Sequence, residues 1–206
     1  MSVYSRYILP KLTDLSCSVK PITRQREKIV PLAEGRVLEI GVGSGLNLAH
    51  YDRSRIDSII GLDASEELMA RALERARTSG VPLEPLLLDA KSIPLEDNAV
   101  DTVLVTYSLC SIDALGEALS EMRRVLKPAG RLLFCEHGLA PDAGVQKLQN
   151  RLTPVWKRVG GGCRLNRDLP KEIAQAGFRI TALDQMYLPG TWRFIGFNSW
   201  GTAQPA

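Results

Sequence analysis

Three glycines in one short segment are the residues of this sequence best suited to bind a ligand. Gly41, Gly43 and Gly45 follow the apolar run of residues 36–40, in the pattern G-x-G-x-G. A glycine turn at the carboxyl end of a strand lets the backbone lie close to a ligand. The dinucleotide fingerprint requires G-x-G-x-x-G, and its last position here is Leu46, so the turn is poorly suited to a pyrophosphate.

Acidic residues accompany the glycines at the ends of successive predicted strands. Glu39 precedes the first glycine, Asp63 ends the second apolar run, and Asp89, followed by Ala90, ends the third. A carboxylate at Asp63 can accept hydrogen bonds from ribose hydroxyls, and one at Asp89 can reach an adenine amino group. The set predicts a site for a cationic nucleoside. The structural alternatives are glycines needed only for a tight corner and an Asp63 that complements a helix dipole.

These residues must be positioned by an alternation of strands and helices. Near-continuous apolar runs are typical of parallel strands covered on both faces. Helical patterns occur between the runs, which predicts the order βαβαβαβαβ and a doubly wound sheet of the α/β class. The predicted strands are residues 36–40, 58–63, 83–89, 100–106 and 130–136.

Two helices between these strands have clear boundaries. The first spans residues 65–80, with Ser65 able to cap its start and Gly80 able to end it. The second spans residues 112–130 and is closed by its last proline and glycine. The predicted buried faces are Leu68, Ala72 and Leu73 in the first helix and Leu115, Leu119, Met122 and Leu126 in the second; Pro128 and Gly130 close the second.

The rest of the chain is predicted to flank this unit within a single domain, residues 1–206. Residues 1–30 form an N-terminal helical extension, and residues 138–168 form a cap insertion with a helix over Val145 to Val159 and a G-G-G-C turn. A further helix over 169–178 precedes two strands, 179–188 and 191–203, joined by a short turn into an antiparallel hairpin.

Composition excludes several classes of protein. The chain is 45% hydrophobic and 24% charged with a net charge of +3, which is typical of a globular domain. No stretch reaches the roughly 18 apolar residues of a membrane span, and no secretory signal is evident. The chain has four scattered cysteines, without a CxxC pair, and two histidines. This pattern predicts neither a metal site nor a disulfide framework, and it favours reduced thiols and a cytoplasmic location.

The charges are unevenly distributed. Residues 1–30 and 138–168 each carry six basic and two acidic side chains, whereas residues 31–137 carry an excess of acids. This pattern indicates an acidic body with two basic attachments. Solvated helix faces explain the basic segments equally well.

Residues 36–137 resemble the class I methyltransferases that depend on S-adenosylmethionine. The resemblance rests on E-x-G-x-G-x-G, on GLDASEELMARA, and on VDTVLVTYSLCSI followed by EMRRVLKPAGRLLFCEHG. It implies a Rossmann-like, seven-stranded sheet whose last strand is antiparallel. Within the class, SLCSI, CEHG, PVWKRVGGGC and the closing GTA are similar to the alkyl-thiol S-methyltransferases.

The resemblance also implies roles for individual residues. The glycine turn and Glu39 would surround the methionine part of the cofactor, with Asp63 at the ribose. The adenine would lie at the end of the third strand, and the residues after the fourth strand would face the sulfonium. The implied cofactor-binding set is Glu39, Gly41, Gly43, Gly45, Asp63, Ala64, Asp89, Ala90, Tyr107 and Ser108.

The membrane-associated thiol methyltransferases have a longer hydrophobic N-terminal anchor than this chain shows. In this chain a short apolar helical face corresponds to that anchor, and Pro10 is predicted to break it early. This helix is predicted to pack on the domain, with closure over the site or contact with a membrane surface as the alternatives. The residues of the face are Tyr4, Tyr7, Ile8, Leu12 and Leu15.

Methyl transfer from a sulfonium is a direct displacement, so the protein mainly aligns the reactants. The candidates for a base or a thiolate stabiliser are His137 and Arg167 with Asp168; packing is the alternative for His137. Cys110 and Cys163 are predicted to be small buried groups rather than nucleophiles. Trp156, Trp192 and Trp200 could line an apolar acceptor pocket, with core packing as the default.

Three hypotheses for function follow. The leading one is S-methylation of a small apolar thiol, and the second is N-methylation of phospholipid headgroups or C-methylation of a quinone precursor, with the basic segments on an anionic membrane. The third is an S-adenosylmethionine-binding module without catalysis. Nucleic acid is disfavoured as a substrate because TYSLCS, rather than a base-stacking Asn-Pro-Pro-Tyr motif, follows the fourth strand.

Overall fold

A seven-stranded sheet organises the protein, and the computed structural model describes residues 8–206. The spatial order is β3-β2-β1-β4-β5-β7-β6, and β7 is antiparallel to both of its neighbours, whereas the first five strands pair in parallel. The predicted α/β class, with its closing antiparallel hairpin, is confirmed. The strands are β1 (Gly35–Ile40), β2 (Ile56–Asp63), β3 (Leu83–Leu87), β4 (Val100–Thr106), β5 (Leu126–His137), β6 (Phe178–Tyr187) and β7 (Phe197–Pro205).

Seven α-helices surround the sheet in the described part of the chain. Both predicted ends of α3 are confirmed, because the Ser65 hydroxyl accepts a hydrogen bond from the Leu68 amide (3.3 Å) and Gly80 ends the helix at φ 66°. The helices are α1 (Leu9–Cys17), α2 (Lys20–Ile29), α3 (Glu66–Ser79), α4 (Leu115–Val125), α5 (Ala143–Val159), α6 (Leu169–Gln175) and α7 (Arg193–Gly196). No helix within residues 8–206 combines the length and the apolar character needed to cross a membrane.

The hydrophobic core lies on both faces of the sheet, because successive strand residues point to opposite sides. On one face, Leu38 and Val103 belong to a buried cluster that includes α4 and α6. On the other face, Val37 and Leu104 pack in a second cluster with residues of α2 and α3. The sheet is therefore covered on both faces, with its carboxyl-end edge open for a site.

The predicted strict alternation of strands and helices is wrong in two places. After β1 there is only a short 3-10 turn, Leu48–His50, and residues 88–99 between β3 and β4 form no helix. In the first segment Gly41, Gly43 and Gly45 have positive φ values, which a right-handed helix does not allow. The second contains Pro94 and Asn98, whose φ of 58° is a turn conformation.

Three predicted boundaries and one predicted face also need correction. Strand β5 begins at Leu126, so α4 ends before Pro128 rather than at it. Residues 193–196 are helical and β7 begins only at Phe197, because the Gly196 amide donates to the Trp192 carbonyl and closes a turn. In α3 the buried residues are Met69, Ala72 and Ala76, while Leu73 is exposed.

The N-terminal extension contains two helices, α1 and α2. Pro10 lies in the first turn of α1, where its missing N–H costs nothing, so it starts the helix instead of breaking it. Val19 has an extended backbone and separates α1 from α2. Tyr4 and Tyr7 of the predicted apolar face lie outside the described residues.

Candidate active site

The glycine turn after β1 adopts a backbone that only glycine tolerates easily. Gly41 and Gly43 have φ values of 67° and 55°, and the Gly41 amide donates to the Leu62 carbonyl at the end of β2 (2.7 Å). A Cβ on Gly41 would lie 2.1 Å from the Ser108 Oγ. A Cβ on Gly43 would meet nothing closer than 3.9 Å, so that glycine borders open space.

Asp63 fixes the shape of this turn. One of its carboxylate oxygens accepts a hydrogen bond from the Gly43 amide (2.8 Å), and the other accepts one from the Ser65 amide (2.8 Å). Burial raises the pKa of Asp63, while these backbone donors oppose the shift. The carboxylate therefore positions the glycine turn and the residue that precedes α3. It also lines the cavity described below.

Glu39 is fully buried and is held by two side chains that sequence reasoning missed. Its carboxylate accepts hydrogen bonds from Tyr51 Oη (2.7 Å) and Asn47 Nδ2 (2.9 Å). Burial raises its pKa to about 7, although these hydrogen bonds and the charge of Arg26 lower it. The register places Glu39 between Gly61 and Leu104 of the neighbouring strands, in the middle of the sheet edge.

Arg26 is the basic residue of the N-terminal extension that enters the site. The residue is only 5% exposed. Its guanidinium donates to Asn47 Oδ1 (2.8 Å) and to Thr106 Oγ1, and lies 5.2 Å from the centre of the Tyr107 ring. In the sequence Arg26 is one of six basic residues within residues 1–30, and no local motif distinguishes it from the others. Only the docking of α2 on the sheet reveals it.

Glu136 supports the segment after β4 in a similar way. Its Oε1 accepts hydrogen bonds from the amides of Ser108 (2.7 Å) and Leu109 (2.9 Å), and burial raises its pKa to about 8. Tyr107 has a φ of 54°, and its hydroxyl donates to Asn198 Oδ1 (2.7 Å). The hydroxyl is thus engaged with β7.

One cavity of about 460 Å³ unites these features, a size typical of small-molecule sites. Residues from the ends of β1, β2 and β3 line it together with the segment after β4. Nine of the ten residues of the predicted cofactor set line it; Gly45 does not, since a Cβ there would meet Leu48 and α3 instead. The nine are Glu39, Gly41, Gly43, Asp63, Ala64, Asp89, Ala90, Tyr107 and Ser108.

The other wall of the cavity comes from α1 and from the glycine turn of the cap. Leu9, Asp14 and Cys17 of α1 line it, as do Gly160 and Gly161. The Asp14 carboxylate accepts a hydrogen bond from the Ser44 hydroxyl in the glycine turn and lies 3.8 Å from Arg71 of α3. The first N-terminal helix therefore covers the cavity, one of the alternatives that the sequence left open.

His137, Arg167 and Asp168, the predicted catalytic residues, do not line this cavity. The Arg167 guanidinium donates to two backbone carbonyl oxygens of the segment between β4 and α4. Asp168 caps α6 by accepting a hydrogen bond from the Lys171 amide (3.4 Å). Nε2 of His137 lies 3.1 Å from the sulfur of Cys163. All three side chains have structural partners outside the cavity, and a catalytic role for them stays a prediction.

The three tryptophans do not line this cavity either. Trp156 packs edge-on against Phe194 with ring centres 6.1 Å apart, and Trp192 is 74% exposed. The ring of Trp200 lies 4.1 Å from the ammonium of Lys28. The acceptor pocket must be built from other residues.

Comparisons with known proteins agree with this geometry. A family model described as a methyltransferase domain matches residues 38–134. The thiol S-methyltransferase TMT1B of Rattus norvegicus is 30% identical over 172 residues, which are 82% of this chain and 70% of that protein. A phosphatidylethanolamine N-methyltransferase of Cereibacter sphaeroides is 36% identical over 168 residues, 80% of each protein. The crystal structure of an S-adenosylmethionine-dependent methyltransferase of Thermotoga maritima has a TM-score of 0.69, with 21% identity and 98% coverage of each chain.

The cavity fits S-adenosylmethionine on the observations above. The open space beside Gly43, which a Cβ would enter, lets the backbone approach a ligand. Asp63 and Asp89 line the cavity at the ends of β2 and β3, where a nucleoside would lie. The buried Glu39 adds an acid that suits a cationic ligand. Sequence relatives, sheet order and cavity together show that this chain belongs to the class I S-adenosylmethionine-dependent methyltransferases.

Proposed function

We propose that the methyl acceptor of this enzyme is a small apolar thiol. The observation that carries the proposal is the composition of the cavity wall formed by α1, the cap and the segment after β4. This wall is largely small or apolar, and within residues 8–206 no histidine lines the cavity. Its contributors include Leu9, Pro10, Cys17, Ile112, Gly160 and Gly161.

The carboxylates on this wall already have partners, so they are poorly placed to act as bases. Asp14 is bonded to Ser44, and Asp113 pairs with Lys157 (2.9 Å) and with Arg164. A thiol acceptor suits such a site because a thiol as acidic as cysteine, with a pKa of ~8.5, is already a few per cent ionised at neutral pH. An amine or carbon acceptor would need a base to take its proton.

The residues of the chain would then act by positioning and by excluding water. Bound S-adenosylmethionine supplies an activated methyl group on a positively charged sulfur. Asp63, held by two backbone amides, would orient the ribose, and α1 would shield the acceptor from solvent. The thiolate forms a new sulfur–carbon bond as the methyl–sulfonium bond breaks, and the thiol proton passes to solvent. The products are a methyl thioether and S-adenosylhomocysteine.

Relatives support this acceptor without deciding it. TMT1B, which covers most of this chain in alignment, is named a thiol S-methyltransferase, whereas the protein from Cereibacter sphaeroides acts on phosphatidylethanolamine by its name. The decisive experiment incubates the purified enzyme with methyl-labelled cofactor and alkane thiols, alcohols and amines of equal chain length. We expect labelled thioethers from the thiols alone. Labelled amine or ether products, or no thioether, would contradict the proposal, and Asp63→Ala supplies the cofactor-deficient control.

A second candidate, N-methylation of a phospholipid headgroup, is favoured by the outer face of α1. Leu12 and Leu15 are 50% and 68% exposed, and Val155 of α5 is 62% exposed. Helix α1 also covers the cavity, so a membrane in contact with this face would lie at its entrance. Two results together would favour this function over thiol methylation. The enzyme would bind vesicles that contain anionic lipids, and Leu15→Glu would abolish that binding. The labelled methyl group would also be transferred to phosphatidylethanolamine.

A further inference from the structure

Three side chains that could bind a metal meet beside the cofactor cavity. Sulfur atoms of Cys110 and Cys163 and a ring nitrogen of His137 all lie within 4.8 Å of one another. His137 Nε2 is 3.1 Å from the Cys163 sulfur. Cys110 and His137 are buried and Cys163 is half-buried, and both cysteines are free thiols. The absence of a CxxC pair disfavoured a metal site in the sequence, but the fold assembles one ligand from each of three distant segments.

The glycine turn of the cap is built to bring Cys163 to this position. Gly162 has a φ of 90°, and a Cβ there would lie 3.0 Å from the Ser111 carbonyl oxygen. The next residue after Cys163, Arg164, donates its amide to the Cys110 carbonyl (3.0 Å). Backbone contacts on both sides therefore hold the two sulfurs near each other.

The far side of His137 has its own polar surroundings. Its Nδ1 and the Oε2 of Glu136 are buried and have no hydrogen-bond partner among the described residues. Both residues line a second, small cavity of about 10 Å³ together with Gln185 and Ser199. That volume and those polar groups suit one water molecule. A water there could join Nδ1–H to Glu136, an outer-shell link that is usual for a metal-bound histidine.

Two thiolates and an imidazole are the ligands that zinc prefers in proteins. With Zn–S bonds of ~2.3 Å and Zn–N bonds of ~2.0 Å, the ligand atoms of a tetrahedral site lie about 3.5–4 Å apart. The observed cluster reaches that spacing with shifts of about 1 Å. We propose that Cys110, His137 and Cys163 bind one Zn²⁺ ion, which fastens the cap (residues 138–168) to β5 and to the segment after β4.

Binding would release the two thiol protons to solvent, and the fourth coordination position would be filled by water or hydroxide. The ion would hold the glycine turn whose first residues, Gly160 and Gly161, line the cofactor cavity. The site is independent of the acceptor proposed above, because its ligands lie outside that cavity. Its predicted role is to stabilise the acceptor wall.

The test uses the full chain, purified without a histidine tag and with its thiols reduced. Zn²⁺ is titrated against a chromophoric chelator, and Co²⁺ replaces it for spectroscopy. We expect one ion per chain, a thiolate-to-cobalt charge-transfer band, and a rise in Tm with zinc concentration. Cys163→Ser and His137→Gln each remove a zinc ligand. Their zinc affinity should fall by more than the roughly 10–100-fold that is lost when an outer-shell partner is removed. The matched controls, Cys17→Ser and His50→Gln, should bind zinc like the wild type.

Three results would overturn the proposal. The first is the absence of tight binding at micromolar zinc in the folded, reduced protein. The second is equal loss of affinity in the control variants, which would indicate adventitious surface binding. The third is a Cys110–Cys163 disulfide that forms readily in air even when zinc is added beforehand. Peptide mapping of protein kept in air would detect it. Since Cys163 is half-buried, its serine variant should fold, which keeps the comparison valid.

Discussion

The buried Glu39 should make the stability of the ligand-free enzyme depend on pH. Its pKa is raised by burial from the ordinary 4.5 to about 7. A carboxyl with a raised pKa binds more protons in the folded state, so its contribution to stability is complete below about pH 4.5 and is lost as the pH rises through about 7. The full shift corresponds to roughly 3 kcal/mol, and most of this change falls between about pH 5 and about pH 8.

Glu39→Gln is the perturbation that isolates this effect. The amide is neutral at every pH, and its oxygen can still accept the hydrogen bond from Asn47. Urea unfolding of both proteins across that pH range should show the wild type losing roughly 2–3 kcal/mol relative to the variant. Glu136→Gln is the companion variant, and its difference from wild type should extend to higher pH because the pKa of Glu136 is raised to about 8.

Parallel curves for wild type and Glu39→Gln, within about 0.5 kcal/mol at all pH values, would refute the reasoning. Such a result would mean that Arg26, Asn47 and Tyr51 stabilise the ionised carboxylate as well as water does. A difference of the opposite sign would mean that they stabilise it better. Either outcome would also change the view of Glu39 as a group that ionises near neutral pH in the empty site.

Three further predictions concern the glycine turn and α1. Asp63→Ala should weaken S-adenosylmethionine binding roughly tenfold to a hundredfold in calorimetry, since it removes a charged partner worth about 1.5–3 kcal/mol. Gly41→Ala should destabilise the fold because its Cβ would overlap the Ser108 hydroxyl, and Ser108→Gly should relieve part of this loss in the double variant, measured by Tm. Asp14→Ala removes the contact with Ser44 that holds α1 over the cavity, so cofactor dissociation in stopped-flow should accelerate about fivefold, for a loss of about 1 kcal/mol.

Each of these has an outcome that contradicts it. Unchanged cofactor affinity in Asp63→Ala would remove Asp63 from the binding site. Additive effects of Gly41→Ala and Ser108→Gly would show that their side chains do not meet. Dissociation at the wild-type rate in Asp14→Ala would mean that α1 does not retain the cofactor, and limited proteolysis of α1 would then show whether it is displaced at all.

Much of the cofactor half of the site follows from the sequence alone. The glycines, Asp63 and the cap at Ser65 lie within one strand–turn–strand–helix segment, and short-range spacing determines how such neighbours are arranged. Apolar periodicity likewise predicted the parallel strands and the closing hairpin. These features depend on backbone geometry over a few residues, which sequence patterns record directly.

The acceptor half of the site could only be decided by tertiary structure. Arg26 enters the site because α2 docks on the sheet, and His137 lies outside the cavity with its ring turned towards Cys163 in the cap. Asp14 covers the cavity because α1 lies across the glycine turn. Contacts between distant segments depend on how whole elements pack, and residue types and local spacing do not specify that packing. The sequence by itself thus determined the fold class and the cofactor, while packing of the N-terminal helices and the cap decided which side chains face the acceptor.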